Sequence, residues 1–200
     1  MGDVFAAIVS VSVLASAVRI ATPLLLAAVG EMVAERTGTL NLGVEGLMTV
    51  GAFAGFATAE QTGSLWLGML VAPIAAMAIA AVMSVLVVTI KVDQVVAGLA
   101  LNLFAIGLTF YLLRAIFDSG GTDVPAVSTF QVVEIPVLSR IPAVGDILFS
   151  QHWLTYATAA LCVVVWFVLG RTAFGLELRS VGHNPEACDM SGVAVYRMQH

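Results

Sequence analysis

The stretch LWLGMLVAPIAAMAIAAVMSVLVVTI, residues 65–90, contains no charged side chain. A helix needs roughly 20 apolar residues to cross about 30 Å of hydrocarbon. Inside that layer only helices and closed barrels satisfy their own backbone polar groups. The stretch lacks the alternation of a barrel strand, so it predicts a membrane-spanning helix. Val95 to Phe117, with a single arginine near its end, and Trp153 to Gly170, with no charge, predict two more. Leu40 to Ala59 is a fourth, broken only by Glu45. Val4 to Val33 is long enough for one tilted helix, or for two short ones interrupted at Arg19 and Pro23. The fold class expected from these runs is all-α: a polytopic transmembrane helical bundle of about five to six spans.

Composition agrees. Of the 200 residues 60% are hydrophobic and only 10% charged, against roughly 25% charged in typical soluble domains, which excludes a soluble globular chain. The 8 basic and 13 acidic residues leave a net charge of -5 and no basic footprint for nucleic acid. Cys162 lies in an apolar run and Cys188 far along in a polar one, so neither a metal site nor a disulfide framework is indicated. Ala15-Ser16-Ala17 loosely imitates a signal-peptide cleavage site, but Asp3 precedes the apolar run without any Lys or Arg, and the N-terminus is read as retained.

Lys and Arg accumulate in cytoplasmic loops. With the N-terminal run taken as one crossing, one side holds Arg36, Lys91, Arg171, Arg179 and Arg197, and the other only Arg140. Residues 171–200 are therefore expected in the cytoplasm and 118–152 outside. The external loop carries Gly120-Gly121, Pro125, Pro136 and Pro142, which predicts ordered but largely irregular structure, with room for one short amphipathic helix.

Polar residues inside the apolar runs are the candidates for function. An ionisable group near the bilayer centre costs about 2.5–3.5 kcal/mol on insertion scales, so Glu45 needs a partner or a purpose. If Leu40 to Ala59 is one helix, Asn41 and Glu45 share a face. Gly43 and Gly46 then admit a neighbouring backbone or let the helix break, as helices along transport pathways do. Glu45 either lines a pathway or staples a discontinuous helix. Gly98, Asn102 and Thr109 share one face of their run. Asn102 can offer donor and acceptor to a polar solute or bond a neighbouring helix. Gly51 and Gly55 form a GxxxG spacing, flanked by Ala57 and Ala59, best explained by packing. Phe53, Phe56, Phe104 and Tyr111 can stack on a flat solute or face lipid.

No phosphate-binding loop, HExxH or GxSxG occurs, and His152, His183 and His200 are scattered through loops. The chain is not read as an enzyme: no catalytic residue, metal site or cofactor is assigned to it. Near the end, Asn184-Pro185-Glu186-Ala187 reads as a helix start, with Asn184 as N-cap, Pro185 at the first helical position and an acid in the first turn. The short helix should end near Gly192 and present Ala187, Cys188 and Ser191.

Three stretches together resemble a known family: Glu35-Arg36-Thr37-Gly38 with Leu40-Asn41-Leu42-Gly43-Val44-Glu45-Gly46-Leu47-Met48; Asp93-Gln94-Val95-Val96-Ala97-Gly98-Leu99-Ala100-Leu101-Asn102; and Gly175 through Cys188 followed by Gly192. They are similar to the membrane subunits of bacterial ABC importers for simple sugars and nucleosides, within the branched-chain amino acid and ribose type permeases. Ile135 to Gly145 with Leu148-Phe149 looks like the external loop of the nucleoside-type branch. Cys188 and Ser180 depart from the family's usual small residues. The chain also ends at His200, directly after the docking loop, where relatives continue with further helices, so it looks like the N-terminal part of a permease domain.

The resemblance implies alternating access through helices carrying Asn41, Gly43, Glu45, Gly46, Gly98 and Asn102. It implies docking on an ATPase through Arg179, Gly182, Asn184, Pro185, Glu186, Ala187 and Gly192. It also implies ATP and Mg on that separate ATPase, a second permease, an extracytoplasmic solute-binding protein, and residence in the bacterial inner membrane with a nucleoside or simple sugar as cargo. Two other classes fit the residues alone: an ion-coupled secondary transporter or channel using Glu45, and a noncatalytic membrane scaffold.

Overall fold

A computed structural model of the chain describes residues 11–117, 126–134 and 145–199. Five long helices carry it: α1 (Val11–Glu35), α2 (Val44–Thr62), α3 (Leu65–Ser84), α4 (Gln94–Phe117) and α5 (Trp153–Arg171). A π-helical turn, Val85–Thr89, extends α3, and among the described residues three short helices follow α5: α6 (Ala173–His183), α7 (Pro185–Met190) and α8 (Val195–Gln199). By length and composition α1, α3 with its π-helical turn, α4 and α5 can each cross a membrane. The fifth, α2, is 19 residues long and carries acids at both ends, Glu45 and Glu60. A polytopic helical membrane protein is therefore what the chain builds. Its surface shows why: Leu103, Phe110 and Trp166 are each well over half exposed on these helices, a face suited to lipid and not to water.

Three local expectations are corrected or sharpened. The N-terminal run is one helix through Pro23 over its described part, although proline offers no N–H to the turn before it. The run from Leu40 does not begin as helix. Gly43 is the N-cap at φ -85, ψ 5 and α2 starts at Val44, so Asn41 and Glu45 do not share a helix face. The reason is local, because the Asn41 side chain accepts the Gly43 N–H at 3.0 Å, the turn by which Asn competes with helix. The segment between α4 and α5 adds a small exception to the all-α expectation: Val132–Glu134 (β1) pairs antiparallel with Ser150–His152 (β2), Val133 opposite Gln151. Its described part also holds one π-helical turn, Gly145–Phe149, and residues 118–125 and 135–144, where a short amphipathic helix had room, lie outside the described residues. Gly120, Gly121, Pro125, Pro136, Arg140 and Pro142 lie outside the described residues.

The chain forms two compact units, one of residues up to 30 with 130–172, the other of 31–129 with 173–200. In the first, Gln151 is fully buried and works as a polar node. Arg19 Nε donates to its Oε1 at 3.0 Å, and its Nε2 donates to the carbonyls of Ile147 (2.8 Å) and Ala15 (3.4 Å). Thr22 and Thr155 share a hydroxyl bond at 3.1 Å, and Phe130 meets Trp153 edge-on at 5.8 Å. Arg19, an interruption in the apolar sequence, thus has a neutral partner that the sequence did not point to.

In the second unit, α2 and α3 form a hairpin closed by Gly63 in the left-handed region (φ 67), the usual glycine stop of a helix. The two helices meet on small residues. A methyl group at Gly55 would lie 3.1 Å from both Ala72 Cβ and Gly68 O, so the GxxxG spacing serves packing, as helix pairs in lipid require. Met83, Ala97 and Leu101 form a buried cluster, with Ile79, Leu86, Val87 and Val92 around it.

Replacing Gln151 by leucine leaves the Arg19 guanidinium and two carbonyls without their partner, a loss of about 1–3 kcal/mol for each group stranded away from water. Gln151→Leu should lower the thermal midpoint in detergent strongly. Gln151→Glu, which keeps an acceptor for Arg19, should fall between leucine and wild type.

Candidate functional site

The segment between α1 and α2 is a turn held from three sides. Thr37 and Gly38 donate their N–H groups back to Ala34 and Glu35 at 2.9 and 3.0 Å, and Thr37 is buried, its hydroxyl bonding Ala34 O at 2.7 Å. Further on, the Leu40 N–H donates to Gln94 Oε1 of α4 at 2.8 Å and the Asn41 N–H to Glu31 Oε1 of α1 at 2.8 Å. At the start of α2, the Gly46 N–H donates to Asn102 Oδ1 at 2.7 Å, while Asn102 Nδ2 donates to the Leu42 carbonyl at 2.9 Å. One amide thus serves the carbonyl before the helix start and a first-turn N–H that has no partner within the helix.

This approach requires two glycines. A methyl group at Gly46 would stand 2.8 Å from Asn102 Oδ1 and 2.9 Å from Ala105 Cβ, and one at Gly98 would stand 2.8 Å from Leu42 Cβ. The structure therefore brings Asn41, Gly43, Gly46, Gly98 and Asn102 into one constellation. Glu45 belongs to it by chain position but not by contact. Its side chain is exposed and, among the described residues, makes no hydrogen bond or ion pair. It sits in the first turn of α2, where the partial positive charge of a helix N-terminus favours a carboxylate. The stapling proposed for Glu45 on sequence grounds is done by Asn102, and also by Glu31 and Gln94, which the sequence reasoning passed over. In the sequence Gln94 lies within the 93–102 stretch and Glu31 is an acid near the end of an apolar run, the signal that marks each.

A cavity of about 190 Å³ adjoins the turn, lined by Thr39, Asn41, Ser84, Met83, Val87 and their neighbours. Sites that enclose a drug-sized ligand hold roughly 300–1,000 Å³, so this cavity by itself is smaller than such a site. A hollow of about 620 Å³ lies elsewhere on α4, bounded by Phe110, Tyr111, Arg114 and Ala115. Of the aromatic candidates, Phe56 pairs with Phe117 at 5.4 Å, whereas Phe104 and Tyr111 are exposed.

The second constellation follows α5. Helix α6 is amphipathic and buries Gly175, Leu178 and Val181 at a three-residue spacing. Arg179 folds along it, Nε donating to the Gly175 carbonyl at 3.2 Å. Asn184 caps α7 as predicted: its side chain accepts the Ala187 N–H at 3.0 Å, Pro185 opens the helix and Glu186 occupies the first turn. Pro185, Glu186, Ala187 and Ser191 are exposed and Cys188 is half-buried. Gly192, at φ 84, turns the chain after the helix, its N–H on Asp189 O at 3.0 Å. Gly182 is exposed like its neighbours, yet its Cα lies against the backbone of Arg36 and Gly38.

Comparison with known proteins gives the family. The profile described as "Branched-chain amino acid transport system / permease component" matches residues 13–200. TsgC13 of Haloferax volcanii, named as a candidate glucose ABC transporter permease protein, is 40% identical over 187 residues, 92% of this chain and 55% of that protein. The guanosine ABC transporter permease protein NupQ of Bacillus subtilis is 37% identical over 188 residues, 90% of this chain and 58% of its own length. The nucleoside ABC transporter permease protein NupC of Lactococcus lactis is 36% identical over 182 residues, 88% of this chain and 57% of its own. The chain thus spans a little over half the length of these relatives. No solved structure matches it.

Asn102→Ala strands the Gly46 N–H and the Leu42 carbonyl, each worth about 1–3 kcal/mol when left unmade away from water. Thermal unfolding in detergent should show a marked loss. Asn102→Asp, which keeps an acceptor for Gly46, should lose less.

Proposed function

The chain belongs to the family of branched-chain amino acid transport system permease components, and on that premise we propose that it is the membrane-spanning subunit of an ATP-driven ABC importer for a nucleoside or simple sugar. The relatives named for guanosine, nucleoside and glucose transport support that cargo. So does the scarcity of intramembrane charge, which suits a neutral polar solute. The assembly it implies holds a second permease of the same or a related chain, an ATPase that carries ATP and Mg, and an extracytoplasmic solute-binding protein. Its place is the plasma (inner) membrane, with residues 171–200 in the cytoplasm.

One observation carries the proposal: α7 is a capped helix outside the apolar spans, with Glu186 and Ala187 exposed, as a docking helix requires. Its side of the molecule is consistent with the distribution of Lys and Arg. Contacts join the three basic segments expected in the cytoplasm, Leu40 to Gln94, Thr89 to Tyr196 at 3.0 Å, and Gly182 to Arg36 and Gly38. ATP binding and hydrolysis on the partner move α7. Alternating access follows when the helices carrying Asn41, Glu45 and Asn102 open to one side at a time.

Ion-coupled transport through Glu45 is a second reading, with the exposed and unpaired carboxylate in its favour. Vesicle uptake separates the two. ATP depletion should abolish uptake and collapse of ion gradients should leave it; the reverse pattern overturns the ABC assignment. Glu186→Arg should detach the ATPase on copurification and remove its stimulation, whereas Glu45→Gln should leave assembly intact while reducing uptake.

A further inference from the structure

The docking segment and the polar turn that precedes α2 lie far apart in sequence but touch directly. A methyl group built on Gly182 would overlap the Arg36 carbonyl oxygen, and would lie 3.1 Å from Arg36 C and 3.2 Å from Gly38 N. From the other side, a methyl on Gly38 would lie 3.4 Å from Gly182 Cα. Two backbones are therefore in contact with no side chain between them. Gly38 is also held at φ 83, a region where an L-residue pays roughly 1–2 kcal/mol, so the turn's shape is itself tuned to this contact.

Each side of the contact is stiff. Two residues beyond Gly182 the Asn184 N–H donates to Ser180 O at 3.0 Å, and the Asn184 side chain caps α7, so α6 and α7 join without a slack linker. Beyond Gly38, Leu40 and Asn41 are tied to Gln94 and Glu31, and Leu42 and Gly46 to Asn102. Displacement of α7 has a continuous path of backbone contact and hydrogen bonds to the start of α2.

We propose that the Gly182 contact with Arg36 and Gly38 is the junction through which movement of α7 reaches the Asn41–Asn102 constellation. Gly182 and Gly38 are then positioning residues for transport. This rests on the permease assignment above and adds the route by which such a subunit couples hydrolysis to opening.

The test uses the complete permease assembly in nanodiscs and proteoliposomes. Hydrogen exchange is followed in residues 37–44 and 185–190 with and without ATP trapped on the ATPase, and uptake is measured per ATP hydrolysed. In the wild type, exchange in both segments should respond to nucleotide. In Gly38→Ala, the ATPase should remain bound and hydrolysing and 185–190 should still respond. The response of 37–44 should be lost, and uptake per ATP should fall roughly tenfold, in keeping with the penalty of a left-handed L-residue. Gly182→Ala, which forces the backbones apart, should lose at least as much uptake.

A wild type in which 37–44 stays silent while 185–190 responds overturns the junction, and needs no variant to fold. So does Gly38→Ala with unchanged coupling. Failure of the permease assignment looks different: no ATPase copurifies with the wild type and uptake ignores ATP, which overturns both.

Discussion

A chain that breaks its helix among apolar spans must find partners for its own backbone, because hydrocarbon supplies none. Residues 37–46, between α1 and α2, meet that demand with side chains from the helices around them. The N–H groups of Leu40, Asn41, Gly43 and Gly46 and the carbonyl of Leu42 are met by Gln94, Glu31, Asn41 and Asn102. Those side chains come from α1, α4 and the turn itself, so satisfying the break fixes the helices around it. Apolar packing between spans cannot do this alone, since lipid tails are as apolar as leucine and helix association there relies on close fit and hydrogen bonds.

Close fit in turn dictates the placement of small residues. Asn102 reaches both Leu42 and Gly46 only because α4 approaches α2 over Gly98, Gly46 and Ala105. The same principle holds α2 against α3 over Gly51, Gly55, Gly68 and Ala72. Bulk is kept outside, where Leu99, Leu103 and Phe104 are exposed. The helices are thus apolar on nearly every face, and it is residue size, more than polarity, that separates their inner from their outer sides. Helix α6 is the contrast: it is amphipathic in the ordinary way, as befits a helix lying outside the spans.

That distinction explains what could be read from the sequence. Long uncharged runs locate spans to within a residue or two, as at Gln94–Phe117 and Trp153–Arg171, because the energy of a charge in hydrocarbon is large and local. The N-cap at Asn184 was equally legible, since its bond closes within four residues. The start of α2 was not: the apolar run continues smoothly from Leu40, and only the Asx turn at Asn41 and the long-range bonds from Glu31 and Gln94 keep residues 40–43 out of the helix. Gln151 was missed for a related reason. Its importance lies in partners more than a hundred positions away, Arg19 and Ala15, and nothing in its immediate neighbours marks it.

The choice posed for Asn102, between bonding a neighbouring helix and bonding a solute, proves too sharp. A primary amide offers two N–H donors and two acceptor lone pairs, and the contacts with Leu42 and Gly46 use one of each. One donor and one acceptor remain on a half-buried side chain whose position is already fixed by the other two. Such a group costs a solute little in ordering, because the amide has been immobilised by the fold before any ligand arrives. Glu45 is the opposite case: unpaired and exposed, it keeps its conformational freedom and its full hydration where water reaches it. The fold thus fixes the position of Asn102 through two bonds and leaves that of Glu45 to its own conformational freedom, which is the physical difference between the two polar groups at the start of α2.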